Sequence, residues 1–527
     1  MAIIELSPSE SWTVCPTSLR FTGHFGPMLG LVAPGGLLTR VVTKDPLVAR
    51  SGEVKRVGIP WCQVGEPGRG PRAEGENMSA QSLGEQTVDL LGRLVRLGCV
   101  NDLTADSGGE ERAADLLEEF FAGLPVSIER ITPHPGRTSL VVTVEGADPR
   151  SAGTPLTLLG HTDVVPVDEN KWTRDPFGAH IEDDVMWGRG TVDMLHLTAA
   201  MAVVTREVAR RAQEGAPPAR SLVFVAAADE EARGGLGVPW IGEHRPDALP
   251  WDAALSEMGG AHIRGRRGGD SVVVVVGEKG AAQRRLHIRG DAGHGSVPLG
   301  RTSAVERLAQ VSAALSSARL PTATDEVWAS FVRTFEFDET TETSLINGTY
   351  EGDYSEFGDL AAFAHAISHV TVAQTVARSG GPINVMPSHA ILELDIRTLP
   401  GIDDDDVDAA ITAALGDLSE HVTIERLLSE AATASSVDTD LYRAIEAALS
   451  RRYPGASVVP VLFPGGSDLR VARRRGGIGY GFGAVDSGAS LGQVYSQLHA
   501  HDEHIALADV RATAEVLHEV ATTYLGA

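Results

Sequence analysis

Cysteine is scarce: Cys15, Cys62 and Cys99 are the only three in 527 residues. An odd, widely spaced trio excludes a dense disulfide framework, has no zinc-ribbon spacing and fits a reducing compartment. Positive charge is also short, with 45 Lys+Arg against 71 Asp+Glu and a net charge of −26. That balance argues against nucleic acid or an anionic membrane as partner, since both favour a basic surface. No apolar run approaches the ~20 residues that a membrane helix needs. The N-terminal stretch MAIIELSPSESWTVC has no basic n-region leading into a long apolar core. No secretory signal is therefore read there, and a cytoplasmic location is expected. Any bound metal has to be held by histidine and carboxylate.

What is present begins with length. Single cores rarely grow past ~250–300 residues, so more than one domain is expected. Residues 1–77 are rich in Gly, Pro and Arg, and GEPGRGPRAEGEN at 65–77 reads as a loop or linker. The segment 1–77 is expected to be a poorly structured N-terminal extension, with the folded body starting near Met78. From there strand-like runs at 139–144, 155–160, 221–227, 253–256 and 271–276 alternate with helical runs at 81–97, 110–121 and 194–211. That alternation predicts an α/β sheet covered on both faces. The larger domain is read as two parts, 78–281 and 433–527. Between them, 282–432 runs strand, helix, strand, strand, helix, strand, which is the split βαβ, ferredoxin-like α+β plan of an inserted smaller domain. Residues 322–366 read as an irregular insertion that lengthens this smaller domain.

Chemistry gathers at strand ends. His161 closes an apolar run, Asp163 follows, and Trp187-Gly188-Arg189-Gly190 leads to Asp193 where a helical pattern begins. Glu230, Glu231 and Glu257 each sit just past an apolar run, and histidines cluster at His499, His501 and His504. Ligands in α/β sheets collect beyond the carboxyl ends of strands. Two divalent cations a few ångströms apart need a bridging carboxylate and terminal ligands for each. Asp193 suits the bridge; His161 with Glu257, and Glu231 with one of the three late histidines, supply an imidazole and a carboxylate apiece. Asp163 is placed to orient His161. Glu230 then remains free to take a proton from the attacking water. Chemistry alone leaves the choice among His499, His501 and His504 open.

The motifs HTDVVP, WGRGTVDM, AADEEARGG, LSEMGG, EKG, DAGHGSVP, INVMP, DIRTLPG, FPGGSDLR and LHAHDEH occur in that order. In this the chain resembles the co-catalytic zinc exopeptidase and deacylase family. That family includes carboxypeptidase S, glutamate carboxypeptidase, aminoacylase, acetylornithine deacetylase and succinyl-diaminopimelate desuccinylase. The resemblance covers roughly residues 80–527 and implies a zinc-exopeptidase-like catalytic domain with a ferredoxin-like lid, commonly as a homodimer. It implies His161 and Glu257 on one metal, Glu231 and His499 on the other, Asp193 as bridge and Glu230 as general base. His294 would help polarise the scissile carbonyl from the partner subunit. Asn384 and Arg397 would contact the substrate, and the loop Gly465, Gly466, Ser467 would hold its carboxylate. The sequence departs from the family at Leu195-His196, where Lys-Gly is usual, and at Ser467, where threonine is commoner.

The expected function is metal-dependent hydrolysis of an amide or peptide bond beside a free carboxylate. Carboxypeptidase, dipeptidase and N-acyl amino-acid hydrolase activities all fit. The expected cofactor is two divalent ions per chain, zinc first, with cobalt or manganese also suited to such ligands. The competing readings are a non-catalytic metal-binding dimer, which should have lost a ligand or the base, and a di-metal esterase with the same centre.

Overall fold

The computed structural model describes residues 81–147 and 153–527, together with the backbone of two short strands, Met28–Val32 and Leu38–Val42. Those two strands pair antiparallel within a unit spanning Met1–Glu74. The rest of the 1–77 segment, with Cys15 and Cys62, lies outside the described residues. The second unit, Gly75–Ala527, carries everything that follows.

The helix Leu83–Leu97 shows how local sequence sets the boundaries. The Ser82 side chain accepts from Glu85 N, and Gly98 closes the helix at φ 57. Serine satisfies an orphan N–H, and glycine takes the left-handed C-terminal position without a Cβ penalty. The face carrying Leu91, Leu94 and Val95 is buried against the helices Leu195–Gln213 and Leu507–Leu525. These three helices cover one face of a ten-stranded mixed sheet, and Val238–His244 and Leu469–Arg474 pack on the other.

Within that sheet, Leu156–His161 lies between Leu222–Ala227 and Ala253–Ser256, parallel to both. Ile478–Gly481 continues the parallel run beside Ala253–Ser256. Leu156–His161 and Leu222–Ala227 are buried along their whole length, as strands covered on both faces must be. The antiparallel margin Ser127–His134, paired with Arg137–Val144, was not foreseen. Its exposed, charge-bearing pattern lacks a continuous apolar run.

The smaller sheet is antiparallel and separate. It orders Thr371–Ser379, His389–Thr398, Arg284–Arg289 and Val422–Arg426, with helices Ala304–Ser316 and Asp404–Leu415 against it. The third strand therefore lies between the first and second, and the fourth lies beside the first. That is the ferredoxin-like order expected of the lid.

Residues 322–366 differ from the expectation. They are not irregular: Glu326–Arg333, Glu339–Ile346 and Ala361–Ser368 are helices. Asp325 and Asp338 cap the first two through their side chains. Nor do they extend the lid. Trp328, Phe331, Phe335, Phe357 and Phe363 pack with Val273, Val275, Val459 and Val461 of the main sheet. The aromatic residues are spread over short helices, so no single window shows their common apolar face. Only docking on the sheet makes that face continuous.

Candidate metal centre

The parallel strands deliver their carboxyl ends to one place. His161 ends Leu156–His161, Glu257 follows Ala253–Ser256, and Glu230 and Glu231 lie just beyond Leu222–Ala227. Asp193 enters just before the helix Leu195–Gln213. His499 comes from the turn between Leu491–Tyr495 and His504–Ala506 and holds a left-handed φ of 58.

Asp193 stands between two imidazoles. Its Oδ1 is 3.3 Å from His161 Nε2 and its Oδ2 is 3.4 Å from His499 Nε2. His161 Nε2 is also 3.8 Å from Glu257 Oε2, and His499 Nε2 is 3.2 Å from Glu231 Oε2. The ligand-capable atoms of His161, Asp193 and Glu231 lie within 4.8 Å of one another, as do those of His161, Glu230 and Glu257. The sequence-named set therefore converges, although its members span most of the chain. His499 faces the cluster, whereas His504 stacks on Trp187 at a centroid distance of 4.3 Å.

Asp163 does more than orient His161. His161 Nδ1 lies 2.9 Å from the backbone oxygen of Asp163 and 3.6 Å from its Oδ1. The carboxylate itself accepts from Glu230 N at 3.2 Å, Glu231 N at 3.1 Å and Asn101 Nδ2 at 2.9 Å. Asp163 thus ties His161, held by its backbone oxygen, to both glutamates, held by its carboxylate. Behind it, Asn101 Oδ1 accepts from Arg137, which also pairs with Glu110 at 2.6 Å. Glu503 does the same for the bridge, accepting from Gly190 N, Val192 N and Asp193 N while Arg189 pairs with it at 2.6 Å.

Sequence reasoning missed these supports. Glu503 stands inside LHAHDEH and carried a signal; Asn101, Glu110 and Arg137 lie in unremarkable contexts. It also missed Arg470, whose guanidinium is 3.8 Å from Glu230.

The electrostatics test whether divalent ions belong here. Burial pushes Glu230 well above the usual carboxylate range, with the charge of Glu257 adding to it. Burial likewise raises Glu231 to about 7 and Glu257 to about 8, the Asp193 charge reinforcing both. At His161 burial opposes a charged ring, yet hydrogen bonds to Asp193 and Glu257 outweigh it and lift the pKa well above the ordinary value. His499 is raised to about 10 by its bonds to Asp193 and Glu231. Three clustered carboxylates, Glu230, Glu231 and Glu257, are thus pushed toward neutrality, while hydrogen bonds to both imidazoles hold Asp193 below the usual carboxylate range and draw protons onto the two rings. Glu231 Oε1 is buried with no hydrogen-bond partner. Nitrogen and oxygen donors so arranged fit a pair of divalent cations, whose charge would relieve both strains.

The cluster forms the floor of a cleft of about 440 Å³, also lined by Arg397, Gly465, Gly466, Lys279 and Tyr495. Arg397 reaches it from the smaller sheet while bonded to Asp395 at 2.7 and 3.2 Å. Ser467 is turned away: its N and Oγ both donate to buried Glu278. It braces the glycine loop and does not line the cleft. His294 and Asn384 are exposed and also off the cleft, on paired segments of the smaller domain, where Gly295 N donates to Asn384 O at 2.8 Å.

The fold and this donor set are those of a metallopeptidase-like protein with a candidate two-metal centre. A family model, peptidase family M20/M25/M40, matches residues 157–523, and the chain belongs to that family. It is 26% identical over 342 residues to a probable carboxypeptidase S-like protein of Dictyostelium discoideum, covering 63% of this chain and 64% of that protein. It is 30% identical over 257 residues to a succinyl-diaminopimelate desuccinylase of Cereibacter sphaeroides, covering 48% and 62% respectively. The chain thus spans less than two thirds of the length of these curated relatives. Among solved structures, an M20 family metallo-carboxypeptidase from Sulfolobus solfataricus superposes with a TM-score of 0.62 at 20% identity, over 84% of this chain and 100% of that one. Human carnosine dipeptidase 1 superposes with a TM-score of 0.56 at 16% identity, over 84% and 97%. Among the described residues no helix is long and apolar enough to cross a membrane.

Proposed function

We propose that this protein hydrolyses an amide or peptide bond next to a free carboxylate, using two divalent ions per chain, zinc first. The observation that carries the reading is Asp193, one carboxylate oxygen facing His161 and the other facing His499. His161, Glu257, Asp193, Glu231 and His499 would hold the ions. When bound, such ions act as Lewis acids on the scissile carbonyl and lower the pKa of the attacking water.

The chain's own groups do the rest. Glu230 is not one of those ligands, and its backbone is fixed by Asp163. It takes the proton from water as the C–O bond forms, then returns it to the departing amine as the C–N bond breaks. Burial keeps its carboxyl ready to hold that proton between the two steps. Arg470 lies close enough to steady the carboxylate form. Arg397, with the backbone of Gly465 and Gly466, receives the substrate's free carboxylate, since glycines let an anion approach the main chain closely. Ser467 contributes by holding that loop through Glu278.

His294 and Asn384 are assigned to a second copy of the chain. Around them Val297, Leu299, Ile383 and Val385 are 64%, 96%, 104% and 49% exposed. An exposed apolar group of this kind fits a homodimer that brings His294 to the partner's cleft, where it would donate to the developing oxyanion.

The test uses purified full-length protein assayed for metal content and for cleavage of dipeptides and N-acyl amino acids. About two zinc per chain and chelator-sensitive turnover are expected. Glu230→Gln should keep the metal and lose at least ~10²-fold in kcat. Near wild-type turnover in that variant overturns the base assignment. Metal bound without turnover of any amide favours a non-catalytic protein, and matched ester substrates separate an esterase.

A further inference from the structure

Beside the catalytic cleft lies a second cavity of about 270 Å³, and Met258, Phe463 and Tyr495 line both. Met258 directly follows Glu257 in the chain and holds a left-handed φ of 70. A side chain held in that sparsely populated conformation beside a site is a feature the surrounding packing must maintain. The Tyr495 ring lies 6.2 Å from that of Phe463 and 5.5 Å from that of Phe363. Phe463 and Tyr495 thus stand where the two spaces adjoin, with Phe363 against Tyr495 on the side of the second cavity.

The walls are hydrocarbon. Val273, Val275 and Val461 come from the main sheet, Leu197 from the helix after Asp193, Ile505 from the short strand His504–Ala506 and Phe363 from the 322–366 segment. That segment, without a role in the chemistry above, supplies one wall. The polar residues around the cavity are largely occupied with each other. Asp509 accepts from Ser487 N at 2.6 Å and Ser487 Oγ at 2.8 Å. Thr513 Oγ1 donates to Ala484 O at 3.0 Å and accepts from Ala484 N at 3.2 Å. Gln497 Oε1 accepts from His504 N at 2.9 Å. His196 Nδ1 is buried against the cavity with no hydrogen-bond partner, and burial pushes that imidazole down to about 4, so the ring is neutral.

Close-packed interiors rarely leave an apolar volume of this size beside a charged cleft unless a ligand fills it. A water's share of liquid volume is about 30 Å³, and a methylene is of similar size, so the cavity accepts a chain on the order of eight carbons. The cleft itself, lined by Arg397 and the glycine loop, suits the charged end of a substrate. An extended molecule lying across the candidate metal centre would put an anion at one end and hydrocarbon at the other.

We infer that the cavity is an acyl-binding site and that the substrate is an N-acyl amino acid with a medium-length aliphatic acyl chain. The inference rests on the amide-hydrolase reading for the reaction and on the cavity alone for the chain. Water adds across the acyl C–N bond, releasing a fatty acid into the apolar cavity and an amino acid, its nitrogen reprotonated, into the polar cleft.

The experiment measures kcat/KM for N-acyl glycines from acetyl to dodecanoyl with the zinc-loaded protein. In parallel, calorimetry on the same full chain measures binding of octanoate against acetate. The expected result is a rise of up to about fourfold per methylene, levelling near eight carbons. Octanoate binding should carry a negative heat-capacity change. Ala489→Phe and Val494→Phe place a ring in the cavity from a loop and from a short helix. Each, shown folded by its melting curve, should cut the octanoyl-to-acetyl ratio at least tenfold and abolish octanoate binding. A flat chain-length profile with acetyl and dipeptide substrates turned over overturns the acyl site and leaves the hydrolase reading standing. Octanoate binding that disappears in both variants, with no amide turned over, keeps the acyl site and overturns the hydrolase reading. Octanoate binding that survives both rings places the fatty acid elsewhere and overturns the inference.

Discussion

Asp163→Asn separates a carboxylate that only orients His161 from one that organises the whole centre. In the structure its two oxygens accept from Glu230 N, Glu231 N and Asn101 Nδ2. An asparagine offers one carbonyl oxygen. If that oxygen keeps Glu231 N and Asn101, its amide NH₂ faces the N–H of Glu230, donor against donor. The loss is one hydrogen bond to a charged acceptor, about 1.5–3 kcal/mol, and the buried N–H left behind adds about 1–3 kcal/mol. We expect the metal-free protein to be destabilised by roughly 2.5–6 kcal/mol on that basis. Supporting partners of metal ligands typically cost 10–100-fold in affinity when lost, so zinc binding should weaken by about that factor. Denaturant unfolding of metal-free protein reads the first effect, and titration against a chromophoric chelator reads the second. Asn101→Ala, which removes only one of the three donors, should weaken zinc less. Wild-type zinc affinity and stability in Asp163→Asn would refute the idea that this carboxylate holds the two glutamates.

Glu503→Gln should destabilise the protein by about 3–5 kcal/mol, because it leaves the buried Arg189 guanidinium without its counter-charge; urea unfolding measures it. Cys99 gives a pH prediction. Burial pushes its thiol up to about 12 from an ordinary value of 9.0. Above pH 9 the unfolded chain gives up this proton while the folded chain keeps it. Stability from this group is therefore full below pH 9 and falls as pH rises toward 12, and a thiol reagent should modify Cys99 at pH 8 only as fast as the protein unfolds. Deleting residues 1–77 should leave a folded, active hydrolase, since the helix beginning at Leu83 carries its own Ser82 cap; circular dichroism and the dipeptide assay check it.

The large sheet was legible because its central strands are continuous apolar runs bounded by turns, and Leu156–His161 and Ala253–Ser256 fall within a residue of the periodicity reading. The smaller domain was legible for a different reason. Its strands alternate in burial, as His389–Thr398 does along its length, so face and register are written in the residue types. Short elements with neither signature were missed. The 322–366 segment owes its helices to side-chain caps and to aromatic packing against strands far away in sequence. The clustered carboxylates and His161 were legible as residues at strand ends, whereas His499 was separable from its neighbours only by resemblance.

By itself the sequence determined which side chains could make a metal centre, because histidines and carboxylates placed after apolar strand runs are a matter of residue type and position. It also determined the ferredoxin-like order of the smaller domain, through hydrophobic periodicity. Only the tertiary structure decided how those residues act together. That Asp193 faces two imidazoles, that Asp163 grips the backbone of Glu230 and Glu231, and that Ser467 is spent on Glu278 all depend on atoms brought within about 3 Å from distant parts of the chain. The hydrocarbon cavity behind Met258 is likewise a property of no single segment. It exists because the sheet, the short strand His504–Ala506 and the aromatic insertion close around the same volume.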